Sequence, residues 1–377
     1  MTSEPHMIRG GSSFGDGPGR WPTPLVDVVV PTLGRPSLDT LLARLDESLG
    51  ERPGLVGQVI VVHDRPEAAL QVEPLVHAVC SVVPGRARGP AAARNIGWQR
   101  AGASWIVFLD DDVEVGPGWA TSLEQDLGSA PPEVVAVQAD IEVPLDPDRP
   151  PDDTERGVAQ LAEAAWITAD MAVRRSALVE VGGFDERFTR AYREDTDLAL
   201  RLLDAGGVLR HGGRSTRHPV RPARWTECLG RQRGNADDAL MRRLHGPDWR
   251  QRGSAPAGRR DEHVVTSLVA LGATAALASG RRRIAAVLAV AWVWRWWRFL
   301  AVRRTPGRDG PLGAAQLAVT SAAIPPLATT WWLIGLRRAR RAAPRRTVDR
   351  WRDPDDATTP DRPAPDHSAT GVLSPER

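Results

Sequence analysis

Three short runs of β-branched and other apolar residues, at 25–30 (LVDVVV), 58–62 (QVIVV) and 105–109 (WIVFL), punctuate the first third of the chain. Between the first two, Leu38, Leu41, Leu42 and Leu45 recur at helical spacing, and a helix-like segment around 91–101 precedes the third. Strands that are apolar almost throughout, alternating with helices, predict an α/β fold with a parallel sheet covered on both faces. Ligands of such sheets bind beyond the carboxyl ends of the strands, so the residues just after these runs are the ones to read for chemistry. From 134 to about 218, strand and helix patterns mix less regularly, with an acidic, proline-rich loop at 144–153 and a helix over 195–205 that stops at Gly206-Gly207. Residues 226–262 turn arginine-rich and polar, which predicts a surface helix and linker.

Past 263 the pattern changes abruptly. Residues 264–279 are apolar over 16 positions, 284–302 are apolar and Trp-rich but carry Arg295 and Arg298, and 312–336 run for 25 positions without a charge. A membrane-spanning helix takes about 20 apolar residues, so the last run is the comfortable span, despite Pro325-Pro326 at its middle. The tryptophans at 292, 294, 296, 297, 331 and 332 suit an interfacial belt. Arginines crowd 337–346, and the positive-inside rule puts that end, with the α/β region, at the cytoplasmic face of the cell membrane. Arginines at 281–283 and 303–304 flank the middle run on both sides and leave the number of crossings open. A buried helical appendage is the alternative reading of the same composition. The expected organisation is a disordered tail over 1–24, an α/β domain over 25–225, a polar helix and linker over 226–262, membrane-associating helices over 263–337 and a disordered Arg/Pro-rich tail over 338–377.

Composition narrows the partners. The 377 residues are enough for one sizeable core and an appendage. The 49 basic residues, all arginine, stand against 47 acidic ones for a net charge of +2, without the concentrated basic patch of a nucleic-acid binder. Cys80 and Cys228 lie far apart and form no CxxC pair, which favours a reducing compartment. No basic stretch followed by an apolar run opens the chain, so no cleaved secretory leader is expected.

The sharpest chemical signal is Asp110-Asp111-Asp112 at the end of the third apolar run. Adjacent carboxylates repel one another, and a cation that neutralises them makes the arrangement tolerable. Hard divalent ions such as Mg²⁺ or Mn²⁺ take oxygen ligands and keep phosphate oxygens in their shell. An acidic turn capping the next element would look the same in isolation.

The company these acids keep is more specific. Val29-Val30-Pro31-Thr32, Val62-His63-Asp64, the segment 89–97 (GPAAARNIG), Asp110-Asp111-Asp112, 169–175 (ADMAVRR), 182–188 (GGFDERF) and Glu194-Asp195-Thr196-Asp197-Leu198 with Arg201 follow one another over about 200 residues. In this order they resemble a bacterial family 2 glycosyltransferase of the GT-A fold, a Rossmann-like nucleotide-diphospho-sugar transferase domain, here followed by an α-helical hydrophobic region. That resemblance implies a metal-dependent, inverting transfer from a nucleotide sugar to a glycan or lipid-linked acceptor of the cell envelope. It implies that Pro31, Thr32 and Asp64 hold the nucleoside, that Arg94 sits beside the diphosphate, and that Asp110 and Asp111 line the donor site. Asp110 and Asp112 are the ends of the DxD pattern and the metal ligands, joined by His218, with His211 as the rival histidine. The metal would act as a Lewis acid on the departing diphosphate. Asp195 would be the base that takes the acceptor's proton, with Glu194 assisting or positioning the acceptor. Gly183, Phe184 and Asp185 would form the acceptor side, Phe184 packing beneath the site, and Trp166 is a candidate for stacking on a sugar face.

Two positions depart from the family pattern. His63 precedes Asp64 where a second acid is common, and Asp170 stands where an Asn is common; the first bears on base preference and the second on which sugar hydroxyls are read. A nucleotidyltransferase on a related scaffold is the competing enzyme class, but no phosphate-binding GxxxxGK[ST] loop is present. A membrane scaffold that kept the fold and lost activity is the competing non-enzyme.

Overall fold

The computed structural model describes residues 24–65 and 67–341; of the tails expected at 1–24 and 338–377, Pro24 is described and 338–341 belong to the last helix rather than to a disordered tail, and the rest lies outside the described residues. In chain order the elements are β1 Val26–Thr32, α1 Ser37–Leu49, β2 Val56–His63, β3 Val79–Pro84, α2 Pro90–Trp98, β4 Trp105–Leu109 and β5 Glu114–Val115. They continue with α3 Trp119–Gly128, β6 Val134–Glu142, α4 Asp153–Ala159, β7 Asp170–Arg174, α5 Arg175–Val181, α6 Glu194–Asp204 and β8 Val208–Arg217. The remainder is helical: α7 Glu227–Arg231, α8 Asn235–His245, α9 Trp249–Arg252, α10 Arg260–Ala278, α11 Arg282–Arg303 and α12 Pro311–Arg341.

One eight-stranded sheet has the order β3-β2-β1-β4-β7-β6-β8-β5. The central strands are buried along their whole length because both faces are covered, and alternation decides which face each side chain meets. Val26, Val28 and Val30 with Trp105, Val107 and Leu109 pack under α1 and α3, whereas Val29, Ile106 and Phe108 pack under α2, α5 and α6. The first four strands are parallel, as the apolar runs predict. The sheet as a whole is mixed: β7 runs antiparallel to both β4 and β6, and β5 antiparallel to β8. This reversal matters, because it sets Asp170 opposite Leu109, and Asp110 donates its N–H to the carbonyl of Ala169 at 3.2 Å.

The segment expected to be a polar linker folds back onto the domain. Met241 of α8 and Trp249 of α9 close a small core with Phe188 and Leu200. Buried polar pairs fasten the layer: Arg193 Nε to Asp238 at 2.8 Å, and His245 Nε2 to Asp197 at 2.8 Å.

Among the described residues two helices, α11 and α12, are long and apolar enough to cross a membrane by length and composition, each with a mean hydropathy of 1.3 over its best stretch. The sequence pattern had favoured the last run alone; α11 qualifies despite Arg295 and Arg298. Well inside α12, Thr320 and Ser321 accept bonds from Arg303 at the end of α11, whose other nitrogens hold Asp153 of the α/β domain at 2.7 Å. Near the end of α12, a side chain at Gly335 would meet Ala236 Cα of α8 at 2.5 Å. The helix is thus linked to the domain part-way along its length, through Arg303, and packs on α8 near its C-terminal end.

Candidate active site

The carboxyl ends of β1, β2 and β4 meet the first turn of α6 in a cluster of acids around one guanidinium. Arg94, on α2 and only 2% exposed, donates from Nη2 to Asp110 Oδ1 at 2.7 Å and from Nη1 to Glu194 Oε1 at 3.0 Å, with Asp195 Oδ1 at 3.7 Å. Burial acts to lower its pKa, but Asp110, Asp195 and Glu194 overcome that and raise it. Arg94, predicted to face a diphosphate, is thus engaged with carboxylates on both of its outer nitrogens. It ties the β4 end of the site to the α6 end.

The acids differ in what they can reach. Asp110 keeps 30% of its side chain exposed; burial pushes its pKa up to about 6 against the pull of Arg94, with Asp112 and Asp195 adding to the rise. Glu194 is 2% exposed, its Oε2 is buried without a partner, and burial followed by the Asp195 charge raises its pKa well above the usual carboxylate range. Asp195 is 20% exposed and accepts hydrogen bonds from Thr168 N at 3.1 Å and Thr168 Oγ1 at 2.9 Å. Of the predicted acidic pair, then, only Asp195 faces the opening.

Asp111 is turned inward, accepting from Thr32 Oγ1 at 2.6 Å and Arg35 Nη1 at 2.8 Å. The Thr32 hydroxyl is therefore spent on a carboxylate, and the buried Pro31 beside it offers no donor. Asp64 accepts from Arg86 N and Gly89 N at 3.0 and 2.8 Å, which fastens the loop leading into α2. Asp112 meets Arg221 at 2.6 Å and His218 Nε2 at 3.6 Å. That meeting follows from the pairing of β5 with the end of β8, which brings the residue after β8 back to the acidic turn before β5. His211 lies elsewhere, beside Asp140 at 3.8 Å and with its ring 5.4 Å from that of Trp166.

Three predicted acceptor residues sit lower than expected. Gly183 has φ +67°, and a Cβ there would approach Asn95 Oδ1 and Trp98 Nε1 at 2.6 Å. Phe184 is buried edge-on against Phe108 at 5.1 Å, its backbone clasped by Asn95 through bonds of 2.8 and 2.9 Å. Asp185 bonds to Arg187 at 2.6 Å. Gly183 and Phe184 thus form the floor of the site rather than a surface for ligand. Replacing Gly183 with Ala is expected to cost about 2–5 kcal/mol, from a left-handed backbone of roughly 1–2 and overpacking of roughly 1–3; urea unfolding followed by tryptophan fluorescence measures it, and an unchanged midpoint would contradict the close packing.

Asp170 is likewise internal. It has no exposed surface and its carboxylate accepts from Trp119 Nε1 at 2.7 Å, Arg214 Nε at 2.9 Å and Thr216 Oγ1 at 2.6 Å, so it cannot read sugar hydroxyls. Arg35, Arg221 and Thr168 were not anticipated; none belongs to a recognisable spacing, and each reaches the acids only through the fold.

Among the described residues no three His, Cys, Asp or Glu side chains converge as a ready-made metal cage. The donor set nevertheless fits a cation that borrows ligands from a phosphate: two carboxylates, Asp110 and Asp112, with a histidine whose Nδ1 is buried without a partner.

The profile of Glycosyl transferase family 2 matches residues 27–175. Two proteins named Pre-mycofactocin glycosyltransferase, from Mycobacterium tuberculosis strains CDC 1551 / Oshkosh and ATCC 25618 / H37Rv, are each 34% identical over 171 residues, 41% of this chain and 35% of theirs. The chain therefore aligns with about a third of the length of these relatives. Among solved structures, the mannosyltransferase PcManGT from Pyrobaculum calidifontis in complex with GDP-Man and Mn²⁺ aligns with 85% of this chain and 88% of its own, with a TM-score of 0.43 and 18% identity. S. aureus TarS aligns with 60% of this chain and 41% of its own, with a TM-score of 0.35 and 14% identity.

Proposed function

We propose that this chain, which carries a glycosyl transferase family 2 domain over residues 27–175, moves a sugar from a nucleotide-diphosphate sugar to an acceptor hydroxyl by a single inverting displacement on its GT-A sheet. The observation that carries the reading is the Arg94 bridge: one buried guanidinium holds Asp110 at 2.7 Å and stands 3.7 Å from Asp195. The acid nearest the leaving group and the acid nearest the acceptor are thereby kept a fixed distance apart, as a displacement needs.

Asp195 takes the proton from the acceptor hydroxyl, its carboxylate steadied by Thr168. Glu194 keeps Arg94 in place from behind. Asp110, Asp112 and His218 would hold a divalent cation, Mg²⁺ or Mn²⁺, whose chemistry when bound is to offset negative charge on the departing diphosphate. Arg221, close to Asp112, is free at its outer edge to meet phosphate oxygens. Trp166, held at φ +59° between residues bonded to both ends of the Gln138 amide and two positions before the Thr168 that bonds Asp195, is the ring proposed to meet the acceptor sugar.

The C-terminal helices attach the enzyme to the cytoplasmic face of a membrane, and the acceptor is a glycan or lipid-linked glycan presented there. α12 packs on α8 near its C-terminal end and is linked through Arg303 to Asp153, so it stays with the domain, and the α10–α11 hairpin, whose α11 is long and apolar enough to span, is the part that enters the membrane.

Donor binding tests the reading. With the purified full chain and a panel of UDP-, GDP- and dTDP-sugars, one donor is expected to bind with Mn²⁺ and to lose at least ~10-fold in affinity with EDTA or in Asp112→Asn. Equal binding in all three conditions would remove the metal from the proposal, and no binding to any donor would favour the inactive scaffold.

A further inference from the structure

At the base of the α10–α11 hairpin lies a partly enclosed pocket of about 90 Å³, where about 10–15 Å³ on the same measure holds one water. Arg259, Arg295 and Arg298 line it, with Glu262 as the one carboxylate in its wall. Glu262 reaches Arg259 and Arg298 only at 3.9 Å. Arg295 is fastened by its Nε to Thr266 Oγ1 at 2.8 Å and by Nη2 to the Glu262 carbonyl at 2.9 Å, bonds that aim the guanidinium without neutralising it. His263, 9% exposed, lines the same wall; its ring packs on Phe299 at 5.2 Å and makes no hydrogen bond among the described residues. Three guanidiniums and an unpartnered imidazole thus face one carboxylate.

The position of the pocket narrows the missing anion. The base of the hairpin is where the water-soluble domain begins: α9 leads into α10, and Arg303 at the end of α11 holds Asp153. From Arg295 to Arg303 is eight residues, about 12 Å of helix. Away from this base the hairpin is clad in exposed apolar side chains, among them Leu268, Leu271, Val287, Val290 and Trp294. Uncompensated arginines at the rim of an apolar hairpin sit at the depth where lipid headgroups lie, and guanidinium is the side chain best matched to phosphate oxygens.

We propose that this pocket is a binding site for the phosphate of an anionic membrane lipid, which seats the hairpin and, through Arg303 and Asp153, sets the height of the catalytic domain above the membrane. The proposal rests on the membrane attachment argued above for the origin of the lipid, so the test separates the two. Flotation of the full chain with vesicles of phosphatidylcholine alone reads attachment. In detergent solution, thermal unfolding is then followed with short-chain phosphatidylglycerol, its phosphatidylcholine counterpart or inorganic phosphate. Phosphatidylglycerol alone is expected to raise the midpoint, and its apparent affinity is expected to fall about tenfold or more in Arg295→Gln/Arg298→Gln. The charge-matched control Arg281→Gln/Arg282→Gln keeps the response. Arg298→Glu, at a side chain 59% exposed, gives the same loss without disturbing the Arg295 bonds should the double variant fail to fold. Protection by inorganic phosphate to the same extent would make this a free-anion site, equal loss in the control would make the effect diffuse charge, and no response to phosphatidylglycerol would end the proposal; flotation would stand or fall separately.

Discussion

Asp195→Asn is expected to lower kcat for sugar transfer by about 10²–10⁴-fold while leaving donor affinity near that of the wild type. The amide is isosteric with the carboxylate and can keep a bond from Thr168, so the loop at 166–168 holds its position; what disappears is the ability to accept the acceptor's proton. The comparison that gives the experiment its force is Glu194→Gln. Glu194 is 2% exposed behind Arg94 and cannot touch an acceptor, so its amide is expected to act through Arg94, lowering stability and loosening the donor along with kcat. A full loss of kcat in Glu194→Gln beside an active Asp195→Asn would reverse the assignment of the base. Rapid-quench measurement of transfer, with donor affinity taken from titration, separates these outcomes.

The largest stability effect is expected from a pair remote from the chemistry. Arg214 is fully buried and holds Asp170 at 2.9 Å and Asp126 at 2.9 Å, while a third nitrogen bond goes to the Val137 carbonyl at 2.8 Å. Replacing it with Met fills much of the volume but leaves two carboxylates in the interior without their counter-charge. Removing one partner of a buried ion pair costs about 3–5 kcal/mol, and urea unfolding of Arg214→Met is expected to fall in that range. Adding Asp170→Asn should recover part of the loss, because the second change removes a charge that the first left stranded. Strictly additive effects would mean that the pair is not coupled, and that Asp170 is buried for some other reason.

Asp170 also illustrates what a motif conceals. Beside the Met in its segment it reads as a variant sugar contact; in the fold it joins β7 to α3 and β8. The same holds for Thr32, Asp64 and Arg94, which their motifs assign to the donor site and which the fold bonds to protein groups that no spacing announces. Arg94 would have needed a signal linking α2 to a helix one hundred residues later, and sequence distance carries none.

What the chain determined by itself is local. The apolar runs at 25–30, 58–62 and 105–109 became the buried strands β1, β2 and β4, because a strand in a sheet covered on both faces takes all its apolar side chains out of water. Three adjacent aspartates marked the acidic turn, because their repulsion is written into consecutive residues. The apolar C-terminal third announced its helices by composition. The tertiary structure decided the rest: that β7 turns antiparallel, that β5 pairs with β8 and so brings His218 rather than His211 to Asp112, that Asp195 faces the opening while Glu194 is buried, and that the helices beyond 226 pack onto the domain. Each of these depends on contacts between elements far apart in sequence, where the energy lies in shared burial and paired charge rather than in any one segment's own pattern.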